Sequence, residues 1–270
     1  STQAKTLFPY TTLFRSAANI YRTTQEISTV QSAHVVMNGR VMLMLASNSY
    51  LDLINHPDVK AAAEQAIAQY GTGSGGSRLT TGTLPLHSRL EHHLAAFKGT
   101  EAALLFNTGY MANVGILSAM GIKGSVLFSD ERNHASIIDG CRLSHARTVI
   151  YRHNDMADLE EKLRQYTPCQ GLIVTDAVFS MDGDQAPCQQ LAELAAQSDN
   201  WLMLDDAHGI GVLGDQGRGT LSQQSVAPDS VHIRMATFGK ALGVAGAFVG
   251  GSRQLTDYLI NFARDYFYST

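Results

Sequence analysis

An α/β fold, with a mainly parallel sheet and helices on both faces, is predicted by three observations. Short apolar runs recur along the chain, each bounded by turn residues. Segments of helical spacing separate most of them. The runs are continuously apolar rather than alternating, the pattern of strands covered on both faces. In chain order the strand candidates are "VMLML" (41–45), "AALLF" (102–106), "SVLFS" (125–129), "RTVIY" (147–151), "GLIVTD" (171–176), "WLMLDD" (201–206), "VHIRMATF" (231–238) and "GAFVGG" (246–251). The helix candidates are "HPDVKAAAEQAIAQY" (56–70), alanine-rich with proline in its first turn, and "LPLHSRLEHHLAAFKG" (84–99), which ends at Gly99. Segments 110–120, 135–144, 155–166 and 188–198 follow, and "NFARDYFYST" at the end reads as a helix and then an extended piece.

The chain has 270 residues, 44% hydrophobic and 16% charged, enough to bury a sizeable core. A net charge of -4 points to neither nucleic acid nor an anionic membrane as partner. Cys141, Cys169 and Cys188 are odd in number and far apart, so reduced thiols in a cytoplasmic protein are expected. There is no apolar run of about 18 residues and no pattern of a secretory signal. Residues 6–16, "TLFPYTTLFRS", match a translated frame of a DNA-sequencing adaptor, so 1–16 are expected to be foreign to the fold. Residues 17–40 then form an N-terminal segment and 41–270 one large domain.

Parallel sheets bind ligands at the carboxyl ends of their strands. There the sequence places "NTGYMAN", "DERNHAS", "AVFSMDGD", "DDAHG" and "TFGK". Gly109 and Tyr110 open a helix after a strand, as an ordinary turn or as a phosphate cradle of free N–H groups. Thr237 offers a hydroxyl to the same phosphate. Asp205 ends an apolar strand, where a buried carboxylate needs a cationic partner such as a protonated ring nitrogen. Asp206 points to the other side of the strand and reads as structural. His134 and His208, taken singly, are packed or exposed side chains as readily as catalytic ones. Lys240, in "MATFGKALGVAG", has no carboxylate within four positions and suits a Schiff base with an aldehyde. Cradle, ring partner and lysine together describe a pyridoxal 5'-phosphate (PLP) site.

Two motifs point elsewhere and are set aside. Gly71, Gly73 and Gly76 fit G-x-G-x-x-G, but they follow a helix rather than a strand. A mobile loop over a pocket fits them better. Asp182, Gly183 and Asp184 lack the further ligands of a calcium loop and read as a tight turn.

The strings "SNSYLDL", "YGTGSGGSRLTTG", "FNTGYMANVG", "NHASIIDGCRL", "VFSMDGD", "LMLDDAHGIGVLGDQGRG" and "TFGKALG" resemble the α-oxoamine synthases, fold-type-I PLP enzymes, in family order from about Ala17 onward. The resemblance implies the large domain of an aspartate aminotransferase-like PLP-dependent transferase, with a C-terminal small domain absent. It implies that Lys240 carries PLP, Asp205 binds the ring nitrogen, and His208 and Ser180 meet the phenolic oxygen. His134 would stack on the ring and border the substrate. Gly109, Tyr110 and Thr237 would hold the phosphate. Lys240, His134 and Asp205 would be the catalytic set, with Lys240 as general base and no metal. Arg22, in "NIYRT", falls where relatives that take dicarboxylic acyl groups bind the distal carboxylate.

"DDAHGIGVLG" and "TFGKALGVAGAFV" lean toward the biotin branch of the family. The activity so implied is decarboxylative condensation of L-alanine with a pimeloyl thioester, on CoA or a carrier protein, to 8-amino-7-oxononanoate. A cytoplasmic homodimer with its site at the interface is implied, Ser269 or Thr270 reaching the partner's phosphate. Glycine with acetyl-CoA or succinyl-CoA, and an inert fragment or non-catalytic subunit, are the alternatives. One departure is Asp52, where the family carries glycine.

Overall fold

A computed structural model describes residues 21–166 and 170–269. The segment 1–16, Cys169 and Thr270 lie outside the described residues. The chain divides into two compact units, 1–46 and 47–270.

In the first unit, β1 (His34–Met37) pairs antiparallel with β2 (Arg40–Leu43). Asn38 and Gly39 join them at φ 52° and 73°. Consecutive positive φ values make the two-residue turn whose twist matches a hairpin, and Asn-Gly is its preferred sequence. The sequence reading found only the second strand, which is also shorter than "VMLML".

The second unit is built on seven strands: β3 (Ala102–Phe106), β4 (Val126–Asp130), β5 (Arg147–Tyr151), β6 (Gly171–Asp176), β7 (Trp201–Asp205), β8 (Ile233–Thr237) and β9 (Ala247–Gly251). Their spatial order is β3-β9-β8-β7-β6-β4-β5. The run from β8 to β5 is parallel, and β9 alone is antiparallel to both its neighbours. The helices are α1 (Pro57–Tyr70), α2 (Pro85–Lys98), α3 (Gly109–Met120), α4 (Ala135–Leu143), α5 (Met156–Gln165), α6 (Cys188–Gln197), α7 (Thr220–Gln223), α8 (Arg253–Phe262) and α9 (Arg264–Phe267). The last replaces the expected extended piece. Tyr266 on it packs at 5.6 Å against Phe106, and that apolar contact closes one more turn.

Strands β4, β6 and β7 alternate between two cores. Leu127, Leu172, Val174, Met203, Ile233 and Met235 face a cluster shared with α3, α4 and α8. Val126, Phe128, Ile173, Leu202 and Leu204 face a cluster shared with α5 and α6. The same period of two puts Asp205 and Asp176 on the α3 side and turns Asp206 to the other side.

Asp206 is structural, as its position on the strand suggests. Its Oδ2 lies 3.2 Å from Lys98 Nζ, with side-chain exposures of 7% and 4%. Thr220 donates its hydroxyl to Oδ1 at 2.6 Å. Gly219, at φ 98°, approaches so closely that a Cβ there would lie 1.8 Å from Oδ2. Asp52 adopts φ 52° before a short turn, a left-handed conformation that an aspartate tolerates. The Asp182–Gly183 segment is the tight turn expected, with Gly183 at φ 75° donating its N–H to Phe179 O at 2.8 Å.

Candidate active site

The carboxyl ends of β3, β4, β6, β7 and β8 bring the candidate residues to one edge of the sheet. Asp205 ends β7 and is 3% exposed. Asn113 Nδ2, from α3, donates to its Oδ2 at 2.7 Å, and the Ala207 N–H donates to its Oδ1 at 3.0 Å. Among the described residues no side chain forms an ion pair with it. Burial raises its carboxyl above the usual range, against the pull of Asn113 and the charge of Lys240.

Lys240 follows β8, the strand beside β7. Its Nζ lies 2.7 Å from His208 Nε2, and His208 Nδ1 lies 2.7 Å from Tyr50 Oη. Burial, then the charges of Lys240 and His134, push His208 down to about 4. The imidazole is therefore neutral, and an ammonium at Lys240 donates to Nε2, leaving the Nδ1–H to donate to Tyr50. Burial also lowers Lys240, while Asp205 and Asp176 work in the opposite sense. Lys240 thus sits in the field of two carboxylates and pairs with neither, as a lysine that must shed its proton requires.

His134 caps α4, accepting at Nδ1 from the Ser136 N–H at 3.2 Å. Ser136 Oγ is 2.7 Å from the same nitrogen and accepts from Asn113 Nδ2 at 2.8 Å. Hydrogen bonds therefore run unbroken from Asp205 through Asn113 and Ser136 to His134. With Nδ1 engaged by Ser136, Nε2 is the ring nitrogen left to face the site.

Gly109 and Tyr110 open α3, so their N–H groups have no intrahelical acceptor. A Cβ on Gly109 would lie 3.6 Å from Thr237 Cβ and 3.7 Å from its Oγ1, so the two phosphate candidates adjoin. The Thr237 hydroxyl donates to Gly246 O at 2.9 Å, and the Tyr110 hydroxyl to Asp139 at 2.9 Å. Tyr110 therefore offers the site its backbone rather than its ring. Ser180 opens the exposed turn after β6 and makes no side-chain hydrogen bond among the described residues. Arg22 is exposed in the first unit.

Asn113, Ser136, Tyr50 and Asp176 were not singled out from sequence. Asp176 carries the same signal as Asp205, a carboxylate ending an apolar strand. It accepts the His134 N–H at 2.6 Å. Burial and the nearby Asp205 hold its carboxyl well above the usual range. Nothing in sequence marks Asn113, a lone amide in an apolar helix.

The residues fit a cationic, aldehyde-bearing ring carrying a phosphate. Among the described residues Asp205 is a buried carboxylate with no ion-pair partner and Lys240 is an amine with none, and a helix opens beside a hydroxyl. Among the described residues no group of side chains could hold a metal ion, and no helix is long and apolar enough to cross a membrane.

The chain is similar to several known proteins. The 8-amino-7-oxononanoate synthase of Geobacter sulfurreducens is 52% identical over 252 residues, 93% of this chain and 64% of that protein. That of Aeromonas salmonicida is 56% identical over 232 residues, 86% of this chain and 58% of that protein. The chain thus spans less than two thirds of the length of either relative. Serine palmitoyltransferase of Sphingomonas wittichii superposes with a TM-score of 0.92 at 34% identity, over 98% of this chain and 68% of that one. The model of the class I and II aminotransferases matches residues 40–270, and the chain belongs to that family.

Proposed function

We propose that this chain is the PLP-binding large domain of an enzyme that condenses L-alanine with a pimeloyl thioester, on CoA or a carrier protein. The products would be 8-amino-7-oxononanoate, carbon dioxide and a free thiol. The observation that carries the reading is Lys240 and Asp205, at the ends of adjacent strands, each lacking the partner that PLP would bring. The two 8-amino-7-oxononanoate synthases above supply the choice of substrates.

When bound, PLP supplies an aldehyde that captures amines and a cationic ring that withdraws electrons from the carbon beside them. Lys240 Nζ would hold the aldehyde. Asp205 would keep the ring nitrogen protonated, and a cation there relieves its own unfavourable burial. His134 would cover the ring face and border the substrate, with its Nε2 left to face it. Neutral His208, with Ser180, would meet the phenolic oxygen. The N–H groups of Gly109 and Tyr110 would bind the phosphate, joined by Thr237 once its hydroxyl turns from Gly246 O. Arg22 would meet the distal carboxylate of the acyl chain. Released by the alanine amine, Lys240 would remove the α-proton, and burial, which lowers its pKa, leaves more of the amine unprotonated to do so. The new bond joins that α-carbon to the thioester carbonyl carbon. The assembly would be a cytoplasmic homodimer completed by further chain.

The test uses the full-length protein with PLP. Borohydride should fix cofactor to Lys240 in the parent, and none to the Lys240→Ala variant. Alanine with a pimeloyl thioester should release thiol and ketone product in equal amounts, faster than glycine with acetyl-CoA or succinyl-CoA. Adduct retained without Lys240 overturns the site. Faster turnover of glycine overturns the substrate.

A further inference from the structure

His153 lies outside the constellation just described, yet it joins two of its loops. It follows β5 by two positions and is 13% exposed at its side chain. Its Nδ1 is 2.9 Å from Asp130 Oδ1, and its Nε2 is 2.7 Å from Asp184 Oδ2. Asp130 ends β4 and begins the stretch that runs to His134. Asp184 closes the turn that begins at Phe179 and carries Ser180: the Phe179 N–H donates to Asp184 O at 2.9 Å. The Phe179 ring meets the imidazole edge-on, with centroids 4.4 Å apart.

We propose that His153, as an imidazolium, is a positioning residue that clasps the His134 loop to the Ser180 turn and so sets the spacing of the two side chains on the cofactor.

The geometry requires the charge. A neutral imidazole has one N–H and can donate to one carboxylate only, whereas both ring nitrogens here face carboxylate oxygens at hydrogen-bond distance. Asp184 depends on this contact. Its Oδ1 is buried without a hydrogen-bond partner, and its Oδ2 is held by His153 and by Asn154 Nδ2 at 2.9 Å. Asp130 is fully buried at its side chain and also accepts the N–H groups of Arg132 and Asn154, both at 2.9 Å. The other charged groups around the ring are Glu131, which accepts the His153 N–H at 3.1 Å, and the pair of Arg132 and Asp182 at 2.7 Å. That pair joins the same two loops from outside, but both side chains are 53% exposed, so solvent and salt weaken it. Burial works against the His153 charge, yet the hydrogen bonds and charges of Asp130 and Asp184 lift its imidazole above the usual range. The clasp is therefore closed below that raised range and opens as pH rises through it.

The inference rests on the assignment of His134 and Ser180 to PLP, so the test reads the clasp and the cofactor separately. In full-length protein with PLP, amide exchange of residues 178–185, corrected for the intrinsic pH effect, should accelerate as the His153 ring titrates. His153→Gln should raise that exchange about tenfold at neutral pH and abolish its pH dependence, while Arg132→Ala changes it less than about twofold. His153→Gln should also shift the absorbance of the bound cofactor and lower kcat, with KM for the amino acid little changed. Unaltered exchange in His153→Gln overturns the clasp. Altered exchange with unchanged absorbance and kcat overturns its positioning role. If His153→Gln does not fold, the nitrogen shifts of His153 in the parent decide. Both nitrogens protonated at neutral pH supports the clasp, and a neutral ring overturns it. Failure of the Lys240→Ala test would leave these exchange and nitrogen readings intact, which separates the two ideas.

Discussion

Asp176 and Asp205 are direct neighbours across β6 and β7, on the same face and both almost fully buried. Among the described residues neither has a cationic hydrogen-bond partner, and burial raises the proton affinity of both. Each carboxyl then binds its proton more tightly folded than unfolded. Without cofactor, the contribution of this pair to stability is greatest in acid and declines as pH rises from about 4, the unfolded carboxylate range. Asp176→Asn removes one of the two charges and keeps an acceptor for the His134 N–H. We expect its cofactor-free form to melt ~2–4 °C higher at neutral pH, with a flatter dependence on pH, by calorimetry of the full-length protein.

His208 behaves in the opposite sense. Its folded value of about 4 lies below the unfolded one of about 6.5. Its contribution to stability therefore falls as pH drops between those values, because the unfolded ring binds the proton first. His208→Gln should remove that slope. It should also lower kcat about 10–100-fold through lost contacts to Lys240 and Tyr50, with no step in the parent's rate profile near pH ~6.5 that belongs to this ring. Urea titrations and pH–rate profiles check both.

Lys98 and Asp206 give a prediction about folding rather than chemistry. Removing one partner leaves a buried charge, so Asp206→Leu should cost about 3–5 kcal/mol. The double change Lys98→Met with Asp206→Leu should recover part of that loss, since both charges go together. Denaturant midpoints measure it.

Asn113 supports Asp205 and Ser136 with one amide. Asn113→Leu should weaken cofactor binding by about 1–3 kcal/mol, because Asp205 loses its donor and becomes harder to keep ionised. Asn113→Asp, which adds a second carboxyl beside Asp205, should weaken it at least as much. Equilibrium dialysis of PLP against both variants gives the values.

The elements were largely legible because buried strands and amphipathic helices announce themselves by composition and period. The boundaries of β3, β5 and β6 coincide with their apolar runs, and most helices start within one residue of the patterned segments. The hairpin strand β1 was not found, although Asn38-Gly39 marks its turn. The final helix α9 was read as extended, since four residues hold a helical turn only through packing on Phe106.

Sequence alone determined the sheet, the polar residues at its strand ends, and Lys240 as an amine set among small and apolar neighbours, because these follow from local pattern and from the identity of each side chain. Tertiary structure decided which of those residues share a charge or a proton. Asp176 beside Asp205, Asn113 beneath both Asp205 and Ser136, Tyr50 on His208, and His153 between two carboxylates are contacts between distant segments. The proton affinities of such groups depend on burial and on neighbours that no local spacing encodes.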